Sequence, residues 1–141
     1  MLVRLLYASR SVQKITCDQI HEIMQQAHTH NPHHGITGIL CHGDHIFMQV
    51  LEGGREAVNA LYAKILGDAR HEDVVLLHYD EVAERHYAGW TMGQANLGKI
   101  NASTLLRFSE LPVIDPHAMS GASSLALIDE LMATATIVGR P

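Results

Sequence analysis

The chain has 141 residues, 47% hydrophobic and 18% charged, which suits one folded domain with a sizeable core and excludes a disordered chain. Its net charge is −5 and its ten Lys and Arg are scattered, so no nucleic-acid partner is expected: a phosphate backbone is met by basic residues gathered on one face. Cys17 and Cys41 lack C-x-x-C spacing, the start has no leader-like run with a cleavage pattern, and no stretch approaches the roughly 20 apolar residues that span a bilayer, so a soluble cytoplasmic protein with no membrane contact is expected.

Leu2 to Tyr7 reads as a short strand with Arg4 as its polar exception. Ser9 and Ser11 follow beside Arg10 without a His-Asp relay, and Cys17 has no paired base, so nothing here assembles a nucleophile and no enzyme is expected. Thr16 and Gln19 form a capping box that opens a helix, and Ile20, Ile23, Met24 and Ala27 recur on one face. Asn31-Pro32 ends it, because a residue before proline is biased away from the helical region. Eleven histidines are many, and His28, His30, His33 and His34 crowd this point. Pro32 breaks their helical pairing and no thiolate or carboxylate joins them, which favours a solvated turn over a metal site.

Gly35 to Cys41 and His45 to Leu51 are two strands joined at Gly43-Asp44, a tight hairpin in which glycine would supply positive φ. Both strands are apolar on both faces, so each side of the sheet needs a cover. A second helix runs from Arg55 to Leu66 with Val58, Leu61, Tyr62 and Ile65 on one stripe and Gly67 after its end. Strands over Val74 to Val82 and Tyr87 to Leu97 complete a β-α-β-β-α-β order with a further strand, that of a ferredoxin-like α+β sandwich. Beyond residue 97 the character changes: Ser103 to Phe108 reads as a short helix, Pro112 to Gly121 as a loop and Ser124 to Ala135 as a helix. The chain therefore divides into residues 1–97 and a helical extension over 98–141 that caps the second face.

The polar residues in this apolar frame carry the functional signal. Gln49 is an amide within the strand Ile46-Phe47-Met48-Gln49-Val50-Leu51, and a buried amide left unpaired costs roughly 1–3 kcal/mol, so either the fold or a ligand must satisfy it. First and third strands are neighbours at the centre of a ferredoxin-like sheet, which brings Tyr7 within reach of Gln49. Trp90 and Met92 lie two apart and would share one face of the last strand.

Tyr7-Ala8-Ser9, Asn31, Gly35-Ile36-Thr37-Gly38-Ile39-Leu40, Phe47 to Gly53, Asp68-Ala69-Arg70-His71 and Trp90-Thr91-Met92 together resemble the BLUF domain, a blue-light sensor that uses flavin. The likeness covers roughly residues 1 to 97. It implies a flavin, usually FAD with FMN possible, whose ring enters between the two helices near Ile23 and Ile65. It further implies that Asn31 bonds the pyrimidine edge of the ring, that Gln49 bridges Tyr7 to the flavin, that Ser9 belongs to the same site, and that Arg70 and His71 lie toward the ribityl-phosphate. Tyr7 and Gln49 would be the photoactive pair, Trp90 and Met92 the transmitters of the signal. Tyr87 stands where the family more often has Phe. A short stand-alone photoreceptor would signal by association with a downstream protein or as a homo-oligomer. Two other readings stay open on residues alone: an acylphosphatase-like enzyme using Arg10 and Asn31, whose glycine-bracketed phosphate loop is missing, and a metal-responsive domain built on the histidines.

Overall fold

Alternation along the central strands organises the molecule. The computed structural model describes residues 1–134 and 136–138. Its elements are β1 (Leu2–Arg10), α1 (Cys17–His30), β2 (Thr37–His42), β3 (Ile46–Gly54), α2 (Arg55–Leu66), β4 (Glu72–Val82), β5 (Gly93–Asn96), α3 (Ala102–Leu106) and α4 (Gly121–Ala133). The sheet order is β4-β1-β3-β2-β5. All neighbours are antiparallel except β2 and β5, which run parallel. This is the ferredoxin-like arrangement, with β1 and β3 at its centre.

Successive residues of a strand point to opposite faces, and the core splits accordingly. Val3, Leu5, Tyr7, Phe47 and Leu51 turn toward α1 and α2, where Ile20, Met24 and Val58 meet them. Leu6, Met48, Val50, Ile39 and Cys41 turn to the other side and pack with Leu127, Ile128 and Leu131 of α4. Burial of each such aliphatic chain is worth about 1.5–3 kcal/mol, so both covers contribute to holding the sheet. The capping box forms as its residues dictate: Thr16 accepts from the Gln19 backbone at 3.2 Å and the Gln19 side chain accepts from the Thr16 N–H at 2.9 Å.

Several local expectations need correction. The hairpin glycine, Gly43, does not take positive φ; among the described residues only Gly35 (φ 65°) and Asp73 (φ 47°) do. Three residues connect β2 to β3, and the Gly43 N–H closes this loop onto the Ile46 carbonyl at 3.0 Å. Asn31 stays in the helical region despite preceding Pro32, because the chain goes straight into a 3-10 turn over Pro32–His34. Most consequential is the last strand. Residues 87 to 92 are not part of it; β5 begins only at Gly93. The two-residue alternation that would put Trp90 and Met92 on one face therefore does not apply, and the two go to opposite sides. Met92 joins the core beneath α1 and α2, while Trp90 packs with the core beneath α4. The last helix ends at Ala133, and its expected end, Ala135, lies outside the described residues.

Glu52 holds the segment before β5 in place. It is fully buried, and its carboxylate accepts from Arg4 Nε at 2.9 Å, from the His86 N–H at 3.0 Å and from the Tyr87 N–H at 2.6 Å. A buried charge is tolerated only when paired and hydrogen-bonded in this way. The Tyr87 hydroxyl in turn donates to Asp129 of α4 at 3.2 Å, so the tyrosine does more than preserve an aromatic body at that position.

Candidate functional site

The register of β1 and β3 sets Tyr7 opposite Gln49. The phenol donates to Gln49 Oε1 at 2.5 Å, and Gln49 Nε2 donates to the Met92 thioether at 3.4 Å. The sulfur decides which way round the amide stands, since a thioether has no proton to give and must face the amide N–H, whereas the phenol can donate or accept. Tyr7 is 1% exposed and Gln49 6%. Burial, with the Asp68 charge second, raises the phenol well above an ordinary tyrosine, so it stays protonated.

Above this pair lies a cavity of about 270 Å³, close to the lower end of the ~300–1,000 Å³ typical of ligand pockets. Tyr7, Leu40 and Gln49 form its floor; Ile23, Ala27 and His30 come from α1, Leu61, Lys64 and Ile65 from α2, and Arg70 and His71 from the loop before β4. Asn31 also lines it, is buried, and its side-chain amide has no hydrogen bond among the described residues. Arg70 forks onto Asp68, with Nη2 at 2.6 Å from Oδ2, and that hydrogen bond holds the Asp68 carboxyl below the usual range. Arg70 Nη1 is buried with no partner among the described residues. Burial lowers the His71 imidazole below an ordinary histidine; the Arg70 charge acts the same way, and Asp68 acts against it. Ser9 does not reach the cavity. Its hydroxyl lies 2.7 Å from His71 Nδ1, which places it behind that ring, where it orients the imidazole.

The sequence profile described as "Sensors of blue-light using FAD" matches residues 2–93. The chain belongs to the BLUF family. It is 38% identical over 95 residues to the photoactivated adenylate cyclase subunit beta of Euglena longa, a stretch that is 67% of this chain and 11% of that protein. It is 33% identical over 87 residues to the blue light- and temperature-regulated antirepressor BluF of Escherichia coli K12, 62% of this chain and 22% of that one. The chain thus spans only about a tenth of the length of the cyclase relatives it matches. Among solved structures, the photo-activated state of BlsA superposes with a TM-score of 0.80 at 28% identity, covering 94% of this chain and 95% of that one. Dark-state BlrB does so at 0.77 and 27%, covering 95% and 96%.

A BLUF domain binds flavin, and the residues here fit one. The largely apolar slot between Ile23 and Ile65 suits a ring system. The free amide of Asn31, the second N–H of the Gln49 amide and the unpartnered Arg70 Nη1 are donors with nothing to bond among the described residues. Ring carbonyls, ring nitrogens or ribityl and phosphate oxygens would satisfy them. Gln26, His30 and Lys64 were not singled out from the sequence as site residues, and Asp68 was noted only within its motif with Arg70 and His71; all four complete the BLUF cavity wall. Helical spacing offered a signal: Ile23, Gln26, Ala27 and His30 follow i, i+3, i+4, i+7, and Leu61, Lys64 and Ile65 do likewise.

Proposed function

We propose that this BLUF domain holds FAD and works as a photoreceptor in which light drives an electron and a proton out of the Tyr7 phenol and leaves the Gln49 amide re-oriented. The single observation that carries the reading is the buried chain Tyr7 to Gln49 to Met92 on the cavity floor. When bound, the flavin supplies the light absorption and, once excited, the oxidising power. Tyr7 would give an electron to the bound, excited flavin and its proton to Gln49 Oε1, the atom it already touches, while Gln49 Nε2 would release a proton toward the ring. An aliphatic chain in place of the amide could neither accept nor release a proton. Electron and proton both return to Tyr7, so no bond is made or lost overall.

What persists is the orientation of the amide. If Gln49 turns over, Oε1 faces the Met92 sulfur and two acceptors oppose each other, so the thioether must move away. Met92 thus responds directly to Gln49, and the segment before β5 carries the change to Trp90 on the opposite face. From there it reaches the extension over residues 98–141, where an altered surface engages a downstream signalling protein or a second copy of the chain in the cytoplasm.

The test is an absorption spectrum recorded in the dark, after blue light and after a further dark interval, with chromatography of the released cofactor to separate FAD from FMN. A flavin band that shifts to the red and recovers is expected; a colourless protein that takes up no added flavin would defeat the reading. Light–dark hydrogen exchange tests the output, and unchanged protection across residues 98–141 would exclude that region from it.

A further inference from the structure

We infer that His28 is a positioning residue for the Gln49 relay, acting through the backbone of Met92; the inference rests on the photoreceptor reading above. His28 Nε2 lies 2.9 Å from the Met92 carbonyl oxygen, a bond between α1 and a residue sixty-four positions away. A carbonyl only accepts, so Nε2 carries the proton and the imidazole donates. The same Met92 presents its sulfur to Gln49.

The bond matters because of where Met92 stands. It is fully buried but lies one residue before β5, whose first paired residue is Gly93 opposite Ile39. Its side chain is unbranched and adaptable, and a thioether is a weak acceptor, so the Gln49 contact alone does not fix its place. The tie to α1 does. It fastens the backbone of Met92 to the helix that also supplies Ile23, Ala27 and His30 to the cavity wall. His28 is one residue beyond Ala27, outside the cavity lining, and exposed, so replacing it leaves the flavin slot and the core untouched. Of the crowded histidines, His28 therefore has a defined task that involves no metal.

Without this tie Met92 withdraws more readily from Gln49. The contact that favours the dark orientation of the amide weakens, and return from the lit state slows.

The experiment compares the flavin-loaded parent with His28→Ala and His28→Gln. Glutamine places an amide N–H near where Nε2 stood and restores the donor. His28→Ala is expected to keep its flavin and its red shift while recovering in the dark three- to tenfold more slowly, with His28→Gln returning toward the parent rate. In the parent, nitrogen-15 NMR should find the His28 ring with its proton on Nε2. Recovery of His28→Ala within twofold of the parent, or an Nδ1–H ring in the parent, overturns the assignment of His28 alone. A parent that shows no light-driven shift overturns the photoreceptor reading beneath it.

Discussion

The two faces of the sheet are built from the same strands and the same kinds of residue, yet one is sealed and the other keeps a hole. Beneath α4, Leu6, Met48, Val50 and Ile39 meet Leu127, Ile128 and Leu131, and the apolar surfaces close on each other. Beneath α1 and α2 the floor carries Tyr7 and Gln49, while the walls present Gln26, His30, Asn31, Lys64, Asp68 and Arg70 among the aliphatic chains. Several of these groups pair with one another, Tyr7 with Gln49 and Arg70 with Asp68 and Gln26, while Asn31 and Arg70 Nη1 have no partner among the described residues, and a cavity stays open between them. A cofactor slot is thus what remains when a core is lined by residues unable to pack closed. The link between the faces is the short segment that places Met92 on one side and Trp90 on the other.

The largest expected effect breaks the open face functionally. Tyr7→Phe and Gln49→Leu should each retain flavin, since the burial of the slot is preserved, and should each abolish the reversible shift of the absorption band. A normal photocycle in either would remove that residue from the relay.

Next comes the buried carboxylate that holds the linking segment. Glu52→Ala leaves Arg4 unpaired and two backbone N–H groups without an acceptor, and removing one partner of a buried pair costs about 3–5 kcal/mol. Urea denaturation should show a loss of that order. A change below 1 kcal/mol would mean that the segment is held by other contacts.

Both faces should be alkali-sensitive, since burial raises the phenol of Tyr7 on the open face as well. Burial pushes the Cys41 thiol up to about 12, and burial likewise raises the phenol of Tyr87. A group that is neutral when protonated and whose folded value is raised favours the unfolded chain once pH exceeds its unfolded value. Stability should therefore begin to fall above about pH 9 and continue falling toward 12, with each pH unit of such a difference worth roughly 1.4 kcal/mol. Cys41→Ala should flatten the early part of that decline.

The smallest effect sharpens the link. Tyr87→Phe deletes one hydroxyl and its bond to Asp129, which His86 Nε2 also approaches at 3.1 Å. A cost of about 0.5–1.5 kcal/mol is expected with an unchanged dark spectrum. The light–dark difference in hydrogen exchange over α4 should shrink; an unaltered difference would route the signal elsewhere.

Much of this was legible in the residues. The order of elements and the alternation along β1 and β3 are enough to bring Tyr7 to Gln49, and the α1 capping box and the bounds of α2 follow from local spacing. The fate of Trp90 and Met92 was not legible, because the two-residue rule holds only inside a strand, and an aromatic, apolar run from Tyr87 to Met92 looks like one. The paired state of Glu52 was hidden for a different reason: its partners are backbone N–H groups, which carry no sequence signal. His28 was obscured in the same way, since its acceptor is a carbonyl, and a crowd of histidines beside a proline reads as solvent-facing.

Gly93 shows how tightly the linking segment is fitted. A methyl group there would come within 2.7 Å of the Trp90 ring and of Ile137, so the indole rests directly on the glycine backbone. Any side chain at this position would have to push aside both the indole and Ile137, and with them one margin of the core beneath α4. The one residue between Met92 and that core is the one that can have no side chain at all.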